Sequence, residues 1–468
     1  MQIKDQKATG VKIAYIGGGS RGWARGLMSD LAGDERMCGT VCLYDIDFSA
    51  AKDNETIGNR FKTLADCKSK WDYVAVRTQK EALEHADFVV ISILPGTFDE
   101  MEVDVHAPEE YGIYQSVGDS VGPGGIVRAL RTIPMYEVIA KDIERYCPDA
   151  WVINYTNPMS VCTRTLYEVF PKIKAFGCCH EVFATQEFIA NVYNNLHGTA
   201  LDRFDVSVNL FGINHFTWID SAKYKGEDLM PMMFDYANEH RDDASFVSLN
   251  WMNKNFATNQ NVKLDLYRRY GILAAAGDRH LAEFCPSAWY LKDPETVEKF
   301  KFKLTSVQWR KEDLKARIEK TRAILEGKQE LRIEKTGEEG VHQMIALLGI
   351  DPYVTNVNLP NVGQIPNLPL GAVVETNAYF SADCVRPLVA GKIPDDVNHL
   401  IIRHVYNQER IVRSGIAGDY EGVFRAFLND PNVDLPPDRA RELFDKMLER
   451  TKKYLPYYEA YQKAEKSL

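Results

Sequence analysis

The first third of the chain alternates short apolar runs with stretches in which apolar residues recur every three to four positions. Residues 11–16, 41–44, 88–94, 151–154 and 173–176 are apolar runs closed by glycine, proline or polar residues. Between the first two, Trp23, Leu27 and Leu31 fall four apart, on one face of a helix predicted over residues 20–31. Continuous apolar strands separated by helical segments predict a parallel sheet covered on both faces. Beyond about residue 200 the pattern changes. Phe204, Val206, Val208 and Leu210 alternate with polar residues, as in a half-exposed strand. Residues 307–325, 397–412 and 439–454 read as amphipathic helices, and 351–370, rich in Pro, Asn and Gly, as an extended loop. The expected architecture is α/β: a Rossmann-type doubly wound parallel sheet over residues 1–200, and an α+β domain over 201–468.

The first strand runs into Gly17, Gly19 and Gly22, a G-x-G-x-x-G pattern that opens the first helix. In that context the glycines allow a tight turn, a close approach to a pyrophosphate and close helix–strand packing. The helix N-terminus, with Ser20 beside it, offers free N–H groups to phosphates. Asp45 closes the second strand, where a carboxylate can accept hydrogen bonds from a ribose 2′-hydroxyl and would repel a 2′-phosphate. NAD is therefore the expected cofactor, although Arg21 in the same loop leaves room for NADP.

Composition narrows the class. The 468 residues are 45% apolar and 26% charged, ordinary for a soluble globular protein. A formal net charge of −10 argues against nucleic-acid or membrane-surface partners, which are themselves anionic. No secretory signal and no transmembrane run is read, and nine scattered cysteines without a Cys-x-x-Cys pair suit a reducing cytoplasm.

Four further segments stand out: Asp119-Ser120-Val121-Gly122-Pro123-Gly124-Gly125, Asn154-Tyr155-Thr156-Asn157-Pro158, Cys178-Cys179-His180-Glu181-Val182 and Gly212-Ile213-Asn214-His215. Cys179 and His215 are a soft and a borderline metal ligand on separate strands, and two protein ligands leave positions open for a substrate. A buried thiol and a hydrogen-bonded core histidine would explain the same pair.

Together with the glycine loop and with Arg128 and Arg131 after the G-P-G-G segment, these motifs resemble the family-4 glycoside hydrolases, which depend on NAD and a divalent metal. The resemblance spans residue 11 to about 440. It implies Cys179 and His215 as metal ligands, Asn154 on the cofactor, Asp119 and Asn157 on the sugar, and His180 as an acid or sugar-binding residue. Gly277-Asp278-Arg279-His280 is similar to the segment that supplies the base, which makes Asp278 the candidate. Tyr267 and Tyr270 stay open for that role. Mn²⁺ is the implied metal, with Co²⁺, Ni²⁺ or Fe²⁺ also suited to one thiolate, one imidazole and sugar oxygens.

Two departures narrow the substrate. Phosphosugar-cleaving members carry an Arg where this chain has Ile93-Leu94-Pro95-Gly96, and Asn or Asp where it has His180. The Cys179-His180-Glu181-Val182 tetrad is similar to the branch acting on α-linked uronic acids, α-galacturonidases and α-glucuronidases. A uronate carboxylate needs a cation; Arg128, Arg131, Arg279 and His280 are candidates. The implied reaction is transient C3 oxidation by NAD⁺, loss of the C2 proton to the base, C1 elimination, water addition and re-reduction. The alternatives are an α-glucosidase or α-galactosidase of the same family, and a 2-hydroxy acid dehydrogenase. A homodimer or homotetramer is the state the family implies.

Overall fold

A computed structural model describes residues 1–240 and 259–465. Six strands form the parallel core: β1 (Lys7–Ile16), β2 (Met37–Tyr44), β3 (Asp72–Val76), β4 (Phe88–Ile91), β5 (Trp151–Asn154) and β6 (Lys174–Gly177). Further strands come later in the chain. The hairpin β7 (Ser207–Ile213) and β8 (Phe216–Tyr224) joins β9 (Leu273–Ala274) in a second, antiparallel sheet. The strands β10 (Tyr353–Pro360), β11 (Val373–Ser381) and β12 (Cys384–Pro387) extend the first sheet, whose order is β12-β11-β10-β6-β5-β4-β1-β2-β3. The architecture is α/β and Rossmann-like, with a C-terminal addition.

The predicted runs match the core strands closely because both faces of the sheet are covered. Val89, Val90 and Ile91 are all fully buried, as are Val152 and Ile153, so no alternation is visible in the sequence. Strand order reverses at β1, which pairs with β2 on one side and β4 on the other. The loop leaving β1 therefore opens at a topological switch point, where such sheets bind ligands.

The expected loop at 351–370 is in part wrong. Residues Tyr353–Pro360 form β10, paired along its length with β11 and touching β6 at Asn358↔Gly177. Its asparagines suggested a turn, yet they are buried and bonded: Asn356 Nδ2 donates to the Cys179 carbonyl (3.2 Å) and to Glu375 Oε1 (2.7 Å). The predicted strand through Phe204 starts later, at Ser207, after a single turn of 3₁₀ helix at Arg203–Asp205 that leaves Phe204 exposed. The helix Val307–Leu325 has the predicted bounds, and the first helix runs Trp23–Gly33, two residues past the expected end. Among the described residues no helix is long and apolar enough to cross a membrane.

Candidate active site

The glycine loop is held from below. The N–H groups of Gly17 and Gly18 both donate to the Tyr44 carbonyl, and Asn54 Nδ2 donates to the carbonyls of Gly18 (2.8 Å) and Ser20 (2.9 Å). Gly17 has φ +95°, and a Cβ there would lie 2.0 Å from the Ser92 carbonyl oxygen, so only glycine fits. The Asp45 carboxylate accepts from Gly19 N–H (2.8 Å) and Asp47 N–H (2.9 Å), which ties the second strand end to the loop. Ser20 Oγ accepts from Trp23 N–H at the helix start. Gly22 is the N-cap of that helix and offers no side-chain cap, so the first turn keeps N–H groups available to an anion. Asn154, by contrast, is fully buried, its Oδ1 accepting from Tyr136 Oη (2.5 Å) and Thr156 N–H (3.0 Å).

Trp23 joins this loop to the second constellation, stacking on His180 with ring centroids 6.1 Å apart and packing on Tyr155 at 5.3 Å. His180 sits just beyond β6, with Nδ1 3.0 Å from Glu338 Oε1. Burial alone would lower its pKa, but Glu338 and Glu181 outweigh it and raise the imidazole to about 9. The following residue, Glu181, begins the helix Glu181–His197. Its Oε2 accepts the Gly277 N–H at 2.6 Å, and its Oε1 lies 3.9 Å from His180 Nε2 and 3.8 Å from His280 Nε2. Burial disfavours that charge, but the surrounding imidazoles, of which His180 is the protonated one, and the Gly277 N–H bring the carboxyl down to about 2.

His215 is at the tip of the β7–β8 hairpin, in the left-handed region at φ +63°. Its Nδ1 lies 3.0 Å from Ser120 Oγ, which donates its one proton to Asp119 Oδ1 at 2.8 Å. The hydroxyl can then only accept from His215, which places the imidazole proton on Nδ1 and leaves Nε2 as a bare lone pair. Burial holds this ring neutral, with its pKa lowered to about 3. Asn157 Nδ2 donates to Asp119 Oδ2 (3.2 Å), and Asn157 Oδ1 is buried without a partner among the described residues. Burial would raise the Asp119 carboxyl, but its surroundings bring it to about 2, with Arg128 the permanent cation among them and the Ser120 hydroxyl donating to it.

Asp119, His215 and His280 each present a donor atom within 4.8 Å of the others, a set that could hold a metal ion. Cys179 is buried and does not join that set; its thiol is pushed well above the usual range by burial and by Glu375 and Glu181. A bound cation would have to displace its proton. The fit to a divalent metal therefore rests on an unprotonated His215 Nε2, an anionic Asp119 and a buried thiol.

The remaining predicted residues are placed differently. Asp278 is fully buried, and its carboxylate accepts from the N–H groups of Val262 (3.1 Å) and Lys263 (3.0 Å) at the start of the helix Asn261–Tyr270. Burial raises its pKa to about 6 despite those bonds and the Lys263 ammonium. Arg279 Nη2 bonds the Ser116 carbonyl and Thr305 Oγ1, both at 2.5 Å, and its Nε bonds the Lys303 carbonyl. Arg131 is paired with Asp104, while Arg128 Nε donates to the Asn157 carbonyl at 3.0 Å. Glu338, Glu375 and Asn356 were not legible as site residues. Only the doubled acid of Gly337-Glu338-Glu339-Gly340 marks the first, and no local spacing ties it to His180.

Comparison with known proteins agrees over nearly the whole chain. The family described as "Family 4 glycosyl hydrolase" matches residues 12–195, and "Family 4 glycosyl hydrolase C-terminal domain" matches residues 210–433. The chain is 57% identical to an alpha-galacturonidase of Thermoanaerobacterium saccharolyticum, over 97% of this chain and 98% of the relative. The crystal structure of lplD from Bacillus subtilis superposes with a TM-score of 0.89 at 50% identity, covering 94% of this chain and 100% of that one. A 6-phospho-alpha-glucosidase from gut microorganisms, solved in complex with NAD and Mn²⁺, shares the fold with a TM-score of 0.79 at 20% identity, covering 96% and 99% of the two chains.

Proposed function

Since the chain belongs to family 4 of the glycosyl hydrolases, a family of glycosidic-bond hydrolases, we propose that it cleaves α-linked galacturonides. The observation that carries this reading is the 57% identity to an alpha-galacturonidase along essentially the full length of both chains. The Cys179-His180-Glu181-Val182 tetrad lies within that match and favours a uronide over a neutral or phosphorylated sugar. We also propose NAD and Mn²⁺ as cofactors, supported by the glycine loop with Asp45 and by the bare His215 Nε2. Residues 1–200 would carry the nucleotide and 201–468 the remaining walls, with the reacting centre at their seam, in a cytoplasmic enzyme.

When bound, NAD would take and return a hydride at C3 of the sugar while the metal, held by Cys179 and His215, polarises the adjoining oxygens. The chain's own groups do the rest. Asp119 and Asn157 accept and donate hydrogen bonds to sugar hydroxyls from a rigid loop. Arg128 is the cation best placed for the uronate carboxylate: Arg131 is paired with Asp104 and Arg279 braces Ser116, whereas Arg128 donates through Nε to the Asn157 carbonyl and has no ion pair among the described residues. His180 holds a proton against Glu338 and can pass one to the leaving oxygen. Glu181 orients His180 and His280. Asp278 is the proposed acceptor of the C2 proton, its pKa raised toward the working range by burial.

The test is release of free galacturonate from α-linked galacturonide oligomers, with NAD⁺, Mn²⁺ and a thiol reductant each omitted in turn. Cleavage dependent on NAD⁺ and metal, without net NADH, is expected. Activity on glucuronides or neutral α-glycosides alone would overturn the substrate.

A further inference from the structure

We infer that His280 is an additional protein ligand to the divalent metal, donating from Nδ1 beside His215 Nε2. The inference rests on the metal reading above and adds a residue to it. Three observations carry it.

The first is an unanswered atom. His280 Nδ1 is buried and has no hydrogen-bond partner among the described residues. A buried ring nitrogen left without a donor or an ion is costly, so such atoms point to a ligand.

The second is the tautomer. His280 Nε2 faces Glu181 Oε1 at 3.8 Å, and the other oxygen of that carboxylate is fixed by the Gly277 N–H at 2.6 Å. The 3.8 Å separation is too long for a hydrogen bond, so Glu181 favours a proton on Nε2 only through its field, which leaves the lone pair on Nδ1. Carboxylate behind imidazole, with the opposite nitrogen bare, is the arrangement by which proteins orient metal-binding histidines. His215 repeats it, with Ser120 and Asp119 behind Nδ1 and the lone pair on Nε2.

The third is convergence. The His215 and His280 rings stack with centroids 3.8 Å apart and planes 29° from parallel, so the two imidazoles lie against each other on one wall of the site. Each presents a donor atom within 4.8 Å of the other and of Asp119. Metal–ligand bonds of about 2.0–2.2 Å put ligands on opposite sides of an ion about 4.4 Å apart at most. Stacked rings aim their in-plane lone pairs side by side, so sharing one ion requires the His280 ring to turn out of the stack toward His215 Nε2, with the anionic Asp119 supplying compensating charge.

The experiment is Mn²⁺ titration of the whole protein, followed by the loss of the free-ion EPR signal, for the wild type and for His280→Gln and His280→Ala. The variants should bind Mn²⁺ at least about tenfold more weakly. Unchanged affinity in a folded variant overturns the inference and leaves the metal reading intact. A wild type that takes up no Mn²⁺ overturns both. Should the variants fail to fold, pulsed EPR on Mn²⁺-loaded wild type carrying ¹⁵N-histidine decides the matter. Two coupled imidazole nitrogens are expected, and one alone overturns the inference.

Discussion

Arg131 and Asp104 meet in a two-point ion pair from which solvent is excluded. Nη1–Oδ1 is 2.9 Å, Nη2–Oδ2 is 2.5 Å, and both side chains have zero exposure. The pair locks the long helix Gly122–Tyr146, whose start carries the Asp119 loop, onto the helix Phe98–His106. Arg131→Leu would strand a buried carboxylate. It should cost about 3–5 kcal/mol of stability, whereas replacing both partners by apolar residues should restore much of that. Urea denaturation of the single and double variants checks this; equal losses would show that the carboxylate is not the source of the cost.

The proposed role of Asp45 in cofactor choice rests on its charge and on its hold on the Gly19 N–H. Asp45→Ala should weaken NAD⁺ binding by about ten- to a hundredfold, from one lost charge-assisted hydrogen bond of about 1.5–3 kcal/mol. It should also narrow the preference over NADP⁺, with Arg21 close by. Equilibrium binding of the two nucleotides measures both effects, and an unaltered NAD⁺/NADP⁺ ratio would remove Asp45 from the ribose site.

Glu283 gives a pH signature. Its Oε1 accepts from Val117 and Gly118 N–H, while burial, aided by Asp119, lifts its pKa to about 8. A carboxyl whose folded pKa lies above its unfolded value of about 4.3 stabilises the fold when protonated. That contribution is full below about pH 4.3 and is lost as pH rises through about 8. Glu283→Gln keeps the acceptor and has no proton to lose. Calorimetry should therefore find the variant gaining on the wild type between pH 5 and pH 9, and parallel curves would contradict the assignment.

Cys179→Ser should lower hydrolysis more than about a hundredfold, beyond what loss of a group behind a ligand costs, with Mn²⁺ affinity falling in step. An unimpaired serine variant would remove Cys179 from the site.

Asp278→Asn separates two roles. Loss of the carboxylate at the helix Asn261–Tyr270 should cost about 1 kcal/mol of stability. If Asp278 takes the C2 proton, kcat should also fall about 10²- to 10⁴-fold with little change in KM. A stability loss with kcat intact would leave Asp278 a helix anchor and turn attention to another base.

The parallel strands and the glycine loop were readable because their information is local: an apolar run, glycines at fixed offsets, an acid one strand later. Cys179 and His215 could be singled out through motif context. Their surroundings could not. Glu338 reaches His180 across more than 150 residues, and Asn356 and Glu375 support the Cys179 carbonyl from strands whose asparagines imitate a loop. The tautomer of His215 depends on Ser120, which no spacing connects to it. Polar residues in an interior acquire meaning only from the partner opposite, and pairing between distant segments is what a linear pattern lacks.

The seam between β6 and β10 also has a consequence for how the protein is made. About 180 residues separate Gly177 from its partner Asn358. At translation rates of roughly 5–20 residues per second, the flank of β6 waits some ten to forty seconds for its neighbour to leave the ribosome. During that interval the nascent chain displays an open strand with unanswered backbone groups beside the cysteine pair Cys178-Cys179. That is the kind of surface on which nascent chains stick to one another or are held by chaperones. The yield of active protein should therefore respond to the pace of synthesis and to chaperone supply more than the stability of the finished fold would suggest.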